Sequence, residues 1–260
     1  MSDFPTPNFT VDLQGQVAFV TGTSSGLGNR FARVLAAAGA DVAVCARRKD
    51  RLDALAEELR DAHGVKVAPI ELDVTDADAC IAAMQQAEDQ LGPVDVLVNN
   101  AGIPDAAYAA KMPIDLIDKV LDTNLRGPWV LSCELARRLM ARSAPGRIVN
   151  ISSMGAHAYQ GGGAALYSVT KAAVERMTET LAVEWARFHI NVNAIAPGAF
   201  ASEMMDGMIE RVGGDISRGF PRKRLGDPAQ LDSTLLYLVS PSSEFVTGTV
   251  VKVDDGQSSR

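Results

Sequence analysis

The segment Ala-Leu-Tyr167-Ser-Val-Thr-Lys171-Ala-Ala-Val-Glu-Arg holds a phenol and an ammonium four residues apart. In a helix that spacing sets both side chains on one face, one turn apart. A phenol with a pKa near ~10 is a poor proton donor or acceptor at neutral pH. An ammonium about 4 Å away, at an effective dielectric of about 20, interacts by roughly 4 kcal/mol, or about three pKa units. The pair is therefore a candidate acid–base catalyst with a tyrosine brought toward working pH. The same spacing also describes a lysine lying over a half-buried tyrosine on an ordinary helix.

The start of the chain offers such a pair something to work on. Gln16 to Thr21 is a short run of strand formers, followed by Gly22-Thr-Ser24-Ser25-Gly26-Leu27-Gly28. Leu27, Phe31, Val34, Leu35 and Ala38 then recur at helical spacing until Gly39. Strand, glycine-rich turn and helix form the setting of a dinucleotide fingerprint. Glycines admit the backbone close to a pyrophosphate, and free N–H groups at a helix start favour the anion. The spacing is Gly-x-x-x-Gly-x-Gly, and an ordinary glycine-rich turn is the other reading.

The same alternation continues down the chain. Strands are expected near 17–21, 42–46, 65–72, 94–99, 147–152, 191–196 and 249–253. Helices are expected near 26–38, 49–62, 76–91, 114–143, 166–187 and 228–239. This predicts an α/β fold: a doubly wound, mostly parallel seven-stranded sheet with helices on both faces. Gly22, Asn99, Ser153 and Pro197 each end or follow a strand, so they converge on the carboxyl edge, where ligands of such sheets bind. Residues 199–225 form a long connection carrying Phe200, Met204, Met205, Met208 and Phe220. It is either a substrate lid or a helical pair packed on the core. Met154, His157 and Tyr159, just past Ser153, are expected to line the same pocket with Phe200 and Met204. His157 is either a hydrogen-bond donor to substrate or a loop histidine without a role.

Composition narrows the function. With 260 residues and 47% hydrophobic content, the chain reads as one domain over 1–260, with 1–14 an N-terminal extension. The net charge of −7 argues against a nucleic-acid surface. The basic runs Arg47-Arg48-Lys49 and Arg222-Lys223-Arg224 are short, and by default solvated. Cys45, Cys80 and Cys133 are scattered and odd in number, and His63, His157 and His189 lack ligand spacing. Neither a disulfide framework nor a metal site is expected. The N-terminus lacks the features of a signal peptide, and no stretch is apolar enough to span a membrane. A cytoplasmic protein is expected.

Together these motifs resemble the short-chain dehydrogenase/reductase family, in its single-domain branch. Thr21 to Gly28 is similar to the family's cofactor turn, and Leu72-Asp73-Val74 to the element that contacts adenine. Asn99-Asn100-Ala101-Gly102 resembles its Asn-Asn-Ala-Gly motif, and Asn124 in Asp-Thr-Asn-Leu its helix asparagine. Gly146 to Ser153 is similar to the strand ending in the catalytic serine, and Pro197-Gly198 to the pair after the sixth strand. The match runs from about Gly15 to Gly256. Two departures stand out. Many members place the serine thirteen residues before the tyrosine, where this chain has Met154. Aligning Gly146-Arg147-Ile148 puts Ser153 in that role, with one extra residue in the loop carrying Gly161-Gly162-Gly163; Ser152 is the weaker alternative. Asp255 stands where many relatives have glycine.

The resemblance implies reversible hydride transfer between a nicotinamide and a carbonyl or secondary alcohol, without a metal. Tyr167 is the implied acid and base, Ser153 orients the substrate oxygen, and Lys171 lowers the tyrosine pKa and holds the nicotinamide ribose. Asn124 holds a water linking Lys171 to solvent. Gly22, Ser24, Ser25, Gly26, Leu27, Gly28, Asp73, Val74, Asn100, Ala101, Gly102, Pro197 and Gly198 are the implied cofactor contacts. At the end of the second strand stands Ala46, followed by Arg47 and Arg48, with no carboxylate to hold an adenosine 2′-hydroxyl. Guanidiniums there favour the 2′-phosphate, hence NADP over NAD. The leading reading is an NADP-dependent reductase of the 3-oxoacyl-carrier-protein reductase type. An NAD-dependent steroid, sugar or polyol dehydrogenase and a non-enzymatic nucleotide-sensing protein are the alternatives. A homo-oligomer is expected, a tetramer or else a dimer, with Leu131, Leu135, Met140, Met177, Leu181 and Trp185 offering apolar surface if they do not all face the core.

Overall fold

A computed structural model describes residues 11–159, 161–213 and 215–258. The expected N-terminal extension therefore lies mostly outside the described residues. Val17-Ala-Phe-Val-Thr21 (β1) is buried along its whole length, as a strand covered on both sides must be. Its side chains alternate: Ala18 and Val20 enter one apolar cluster, Val17 and Phe19 the other. The first cluster joins β1 to the helices Gly26–Ala37 (α1), Lys49–His63 (α2) and Asp232–Val239 (α8). The second joins it to Ala77–Leu91 (α3), Gly127–Ala141 (α5) and Ala165–Trp185 (α6).

The remaining strands are Asp41–Ala46 (β2), Val67–Glu71 (β3), Val96–Asn99 (β4), Gly146–Ile151 (β5), Ile190–Pro197 (β6) and Val250–Val253 (β7). All pair in parallel, in the order β3-β2-β1-β4-β5-β6-β7. The sequence therefore runs outward from β1 in one direction and then outward from β4 in the other. The carboxyl ends of β1 and β4 form the switch point, the crevice where ligands bind in such sheets.

Three expectations need correction. The helix read over 114–143 is an α-helix at Ile114–Leu121 (α4), a π turn at Asp122–Arg126 and then α5. Pro128 has no N–H to offer the Asn124 carbonyl, and the Gly127 N–H bonds Asp122 instead. Gly127 is needed there, because a Cβ would lie 2.6 Å from the Val74 carbonyl oxygen. Second, Leu131, Leu135, Met177, Leu181 and Trp185 are buried in the second cluster and Met140 packs against it, so they are not assembly surface. The large exposed apolar side chains of α5 and α6 are Trp129, Val169 and Val183. Third, the run 222–224 is not simply solvated. Asp255 takes a left-handed φ of +55°, and its carboxylate meets Arg222 at 3.2 Å and Arg224 at 2.7 Å. Aspartate tolerates that conformation better than most residues.

Residues 199–225 carry a helix at Glu203–Val212 (α7) and a short 3-10 turn at Ile216–Gly219. Ser202 caps α7 by accepting from the Met205 N–H.

Candidate active site

The glycine turn is shaped by what surrounds it. Gly22 and Gly26 take φ of +72° and +56°, which glycine alone adopts freely. The Asn100 side chain lies against this turn and donates to the carbonyls of Thr21 (2.9 Å) and Gly22 (3.4 Å). The Thr21 hydroxyl in turn accepts from the N–H groups of Asn100 and Ala101, both at 3.0 Å. The ends of β1 and β4 are thus stitched together at the switch point. Helix α1 starts at Gly26 with no side-chain cap and no acidic residue in its first turn. Its first N–H groups remain open to an anion.

Gly28 does not line the cleft, contrary to expectation. A Cβ there would fall 2.4 Å from both the Asn100 amide nitrogen and the Gly22 carbonyl oxygen. It is glycine so that α1 can pack against the turn.

On the other wall, β5 ends at Ile151 and is followed by two serines with different partners. Ser153 faces Tyr167 and caps the following turn, accepting from the Gly155 N–H at 3.0 Å. Ser152 is buried, its one hydroxyl proton lying between two acceptors, Glu175 at 2.7 Å and the Lys171 carbonyl at 3.1 Å. The geometry thus brings Ser153, not Ser152, to the tyrosine. Lys171 is buried, its Nζ donating to the Ile151 carbonyl at 2.7 Å and lying 5.6 Å from the centre of the Tyr167 ring. Burial pulls its pKa down to about 8. Burial likewise pushes the Tyr167 phenol up; the Ser153 hydroxyl opposes that shift and the Asp105 carboxylate reinforces it. The expected lowering of the tyrosine by its lysine is therefore not found. Desolvation is the largest influence on the phenol, and the Lys171 ammonium is engaged by the Ile151 carbonyl.

Asn124 sits in the π turn, buried. Its carboxamide accepts from the Ile103 N–H at 2.8 Å and donates to the Ile103 carbonyl at 2.9 Å and to the Thr170 hydroxyl at 3.2 Å. A Cβ on Gly102 would lie 3.4 Å from both Asn124 Oδ1 and Lys171 Nζ, so these three residues converge.

Pro197 and Gly198 close the floor, with Gly198 pressed so near Asp254 that a Cβ would lie 2.8 Å from its Cα. At the far end, Asp73 holds a tight turn by accepting from the Thr75 N–H and hydroxyl. Arg47 is exposed there. Arg48 bends under the glycine turn, donating to Ser24 and to Ser25, the latter at 2.8 Å. It also reaches Glu203 of α7, which Arg51 binds too. These guanidiniums and Ser25 hold the Glu203 carboxyl down at about 2.

These groups line a cleft of about 1290 Å³. Ser24, Ser25, Leu27, Arg47, Arg48, Asp73, Val74, Asn100, Ala101, Gly102, Met154, Tyr159, Phe200 and Met204 all border it. Phe200 does so only at an edge, being buried in the core with its ring over Gly226. His157 is a correction: it does not line the cleft but turns to Glu175, with Nε2 3.0 Å from the carboxylate. The sequence reading missed Glu203, Glu175 and Asp105, whose partners lie far away in sequence or carry no motif.

Among the described residues no group of His, Cys, Asp and Glu is placed to hold a metal ion, and no helix is long and apolar enough to cross a membrane.

The sheet order, the open helix start at the switch point and the cleft between them define a dinucleotide-binding α/β protein. The chain belongs to the short-chain dehydrogenase/reductase family: residues 16–212 match the family model described as short chain dehydrogenase. It is 35% identical over 246 residues to gluconate 5-dehydrogenase of Gluconobacter oxydans, covering 94% of this chain and 95% of that one. It is also 35% identical over 244 residues to 3-oxoacyl-[acyl-carrier-protein] reductase of Thermotoga maritima, covering 94% and 98%. A gluconate 5-dehydrogenase structure from Burkholderia cenocepacia, in complex with NADP and tartrate, superposes with a TM-score of 0.88 at 31% identity, over 95% of this chain and 96% of that one. The chain is accordingly an NAD(P)-dependent oxidoreductase.

Proposed function

We propose that this enzyme transfers hydride reversibly between NADP(H) and a carbonyl or secondary alcohol, with Tyr167 as acid and base. The observation that carries this reading is the gathering of Ser153, Tyr167 and Lys171 in the same cleft as the uncapped start of α1. The residues fit a dinucleotide: the glycine turn clears its path, the open N–H groups suit a pyrophosphate, and the cleft exceeds what one small substrate fills. When bound, the nicotinamide supplies or takes the hydride.

The chain's own residues do the rest. In reduction Tyr167 gives its proton to the carbonyl oxygen, and in oxidation it removes one from the alcohol. Ser153 donates to the same oxygen and fixes its place. Lys171 holds the ribose hydroxyls. Its ammonium, freed from the Ile151 carbonyl, is the group that favours phenolate. Asn124 holds Ile103 and Thr170 in place and holds the water that links Lys171 to solvent. Arg48, with Arg47 beside it, takes the 2′-phosphate; no carboxylate ends β2 to prefer a hydroxyl.

Residues 199–225 act as the substrate lid of a single domain spanning 1–260. Their Met204, Met205, Met208 and Phe220 face the cleft and suit a partly apolar substrate. Oxidation of a sugar acid is a second reading. The likeness to gluconate 5-dehydrogenase favours it, and Arg211 on the cleft wall offers a partner for a carboxylate. Three free cysteines fit a cytoplasmic enzyme.

The test follows absorbance of reduced nicotinamide with NADPH and NADH, against 3-oxoacyl thioesters, simple ketones, gluconate and polyols. Tyr167→Phe is expected to lose 10²–10⁴-fold in kcat while binding cofactor nearly as before. A variant keeping more than about a tenth of wild-type rate refutes the acid assignment. Arg48→Ala is expected to weaken NADPH by roughly ten- to a hundredfold and NADH little. Equal loss for both refutes the 2′-phosphate assignment.

A further inference from the structure

A proton donor works only if its hydroxyl stands where the substrate oxygen arrives, and α6 does not by itself fix that height. The helix begins at Ala165 with Ala164 in the capping position, no side-chain cap and no acidic residue in its first turn. Its leading N–H groups must find acceptors elsewhere. A residue sixty-one positions earlier provides one.

Asp105 lies on the connection after β4 and is 2% exposed. One carboxylate oxygen accepts from the N–H of Leu166 at 2.8 Å and from the N–H of Tyr167 itself at 3.2 Å. The other accepts from the Ala106 N–H at 2.9 Å. The anion is thus held by backbone dipoles at a helix start, the compensation a buried carboxylate requires. Ala106 takes a φ of +52°, a costly conformation for alanine that turns this connection at the carboxylate. Two residues before Asp105, Ile103 is held from both sides by the Asn124 carboxamide. Behind it, Gly163 packs so closely that a Cβ there would lie 3.2 Å from the Ala107 carbonyl carbon. The connection is therefore clamped along its length, and the carboxylate is fixed with it.

We infer that Asp105 is a positioning residue, whose buried carboxylate caps α6 from another part of the chain and sets the place of Tyr167 in the cleft. The inference rests on the acid–base role of Tyr167. Two effects follow from the one group. As an acceptor it anchors the turn that carries the phenol. As an anion it opposes loss of the phenolic proton, in the same direction as burial. The other groups facing the phenol are Lys171 from its own helix and Ser153 from the end of β5. Further charges on the cleft walls include Asp115, Asp118 and Lys119 of α4 and Glu203 and Arg211 of α7.

Asp105→Asn keeps an acceptor and removes the charge, whereas Asp105→Ala removes both. In Asp105→Ala, kcat is expected to fall about tenfold or more, while the NADPH dissociation constant, read by quenching of protein fluorescence, stays within about threefold. In Asp105→Asn most of kcat is expected to return. The Tyr167 titration, followed by NMR of ζ-¹³C tyrosine and assigned with Tyr167→Phe, is expected to move to lower pH. A kcat within about twofold of wild type in Asp105→Ala, or equal losses in both variants, overturns the positioning role. An unmoved Tyr167 titration in Asp105→Asn overturns the electrostatic half, and this holds even if the alanine variant does not fold. The NMR readout needs no turnover. An active Tyr167→Phe enzyme would therefore refute the acid assignment without touching this result.

Discussion

Two adjacent serines, alike in sequence, have different partners in the structure. Ser153 meets the phenol, whereas Ser152 is spent on Glu175 and the Lys171 carbonyl. Ser153→Ala is expected to lower kcat by about 10²-fold, as loss of an oxyanion donor does. Ser152→Ala should chiefly lower stability, by about 1 kcal/mol, as loss of a buried hydrogen bond does. The opposite order in a kcat and urea-denaturation comparison would move the role to Ser152. Lys171 carries a pH signature of its own. Its folded pKa, about 8, lies below the value near ~10.4 of an unfolded lysine. Between those values the unfolded chain binds more protons, so this group adds stability as pH rises and exacts its full penalty below about 8. The unfolding free energy of wild type, relative to Lys171→Met, is therefore expected to climb between about pH 8 and pH 10. A flat difference would show that the lysine is not desolvated. These assignments were partly legible in sequence, since spacing four marks Tyr167 and Lys171 and a strand ending marks Ser153. Asp105 was not, because a carboxylate sixty-one residues from the N–H groups it serves leaves no local pattern.

At the scale of elements, the alternation of apolar strands and amphipathic helices was legible because strands buried on both faces must be apolar throughout. Boundaries shifted where tertiary contacts decide them. Val65 and Val94 flank strands without joining the ladder, and the π turn at Asp122–Arg126 interrupts what periodicity reads as one helix. Thr123 and Asn124, within that turn, are both buried. The glycine turn makes a sharper test. Gly28→Ala would drive a methyl into the Asn100 amide and the Gly22 carbonyl, two groups that cannot both yield. A loss of about 1–3 kcal/mol in stability and weaker binding of either dinucleotide are expected. Unchanged thermal melting and cofactor titration would contradict the packing described here.

For the whole molecule, the outer faces of α5 and α6 carry exposed apolar side chains. Trp129, Val169 and Val183 are 47%, 62% and 80% exposed. Single apolar residues at a surface are ordinary, but three on neighbouring helices suit a two-fold contact between copies. Light scattering is expected to give about four times the 27.5 kDa chain mass, and Trp129→Glu with Val169→Glu to lower it. A monomer mass for wild type would refute assembly. The Glu203 carboxylate of α7, shared by Arg48 and Arg51, bears on the cofactor end of the cleft. It already pairs with Arg48 and Arg51, so a phosphate bound as proposed meets at Arg48 a cation that has a partner. Under the proposed binding of the 2′-phosphate, that phosphate would exchange with an anion the protein supplies itself. Occupancy of the adenosine end and the position of α7 would then be linked through one counterion.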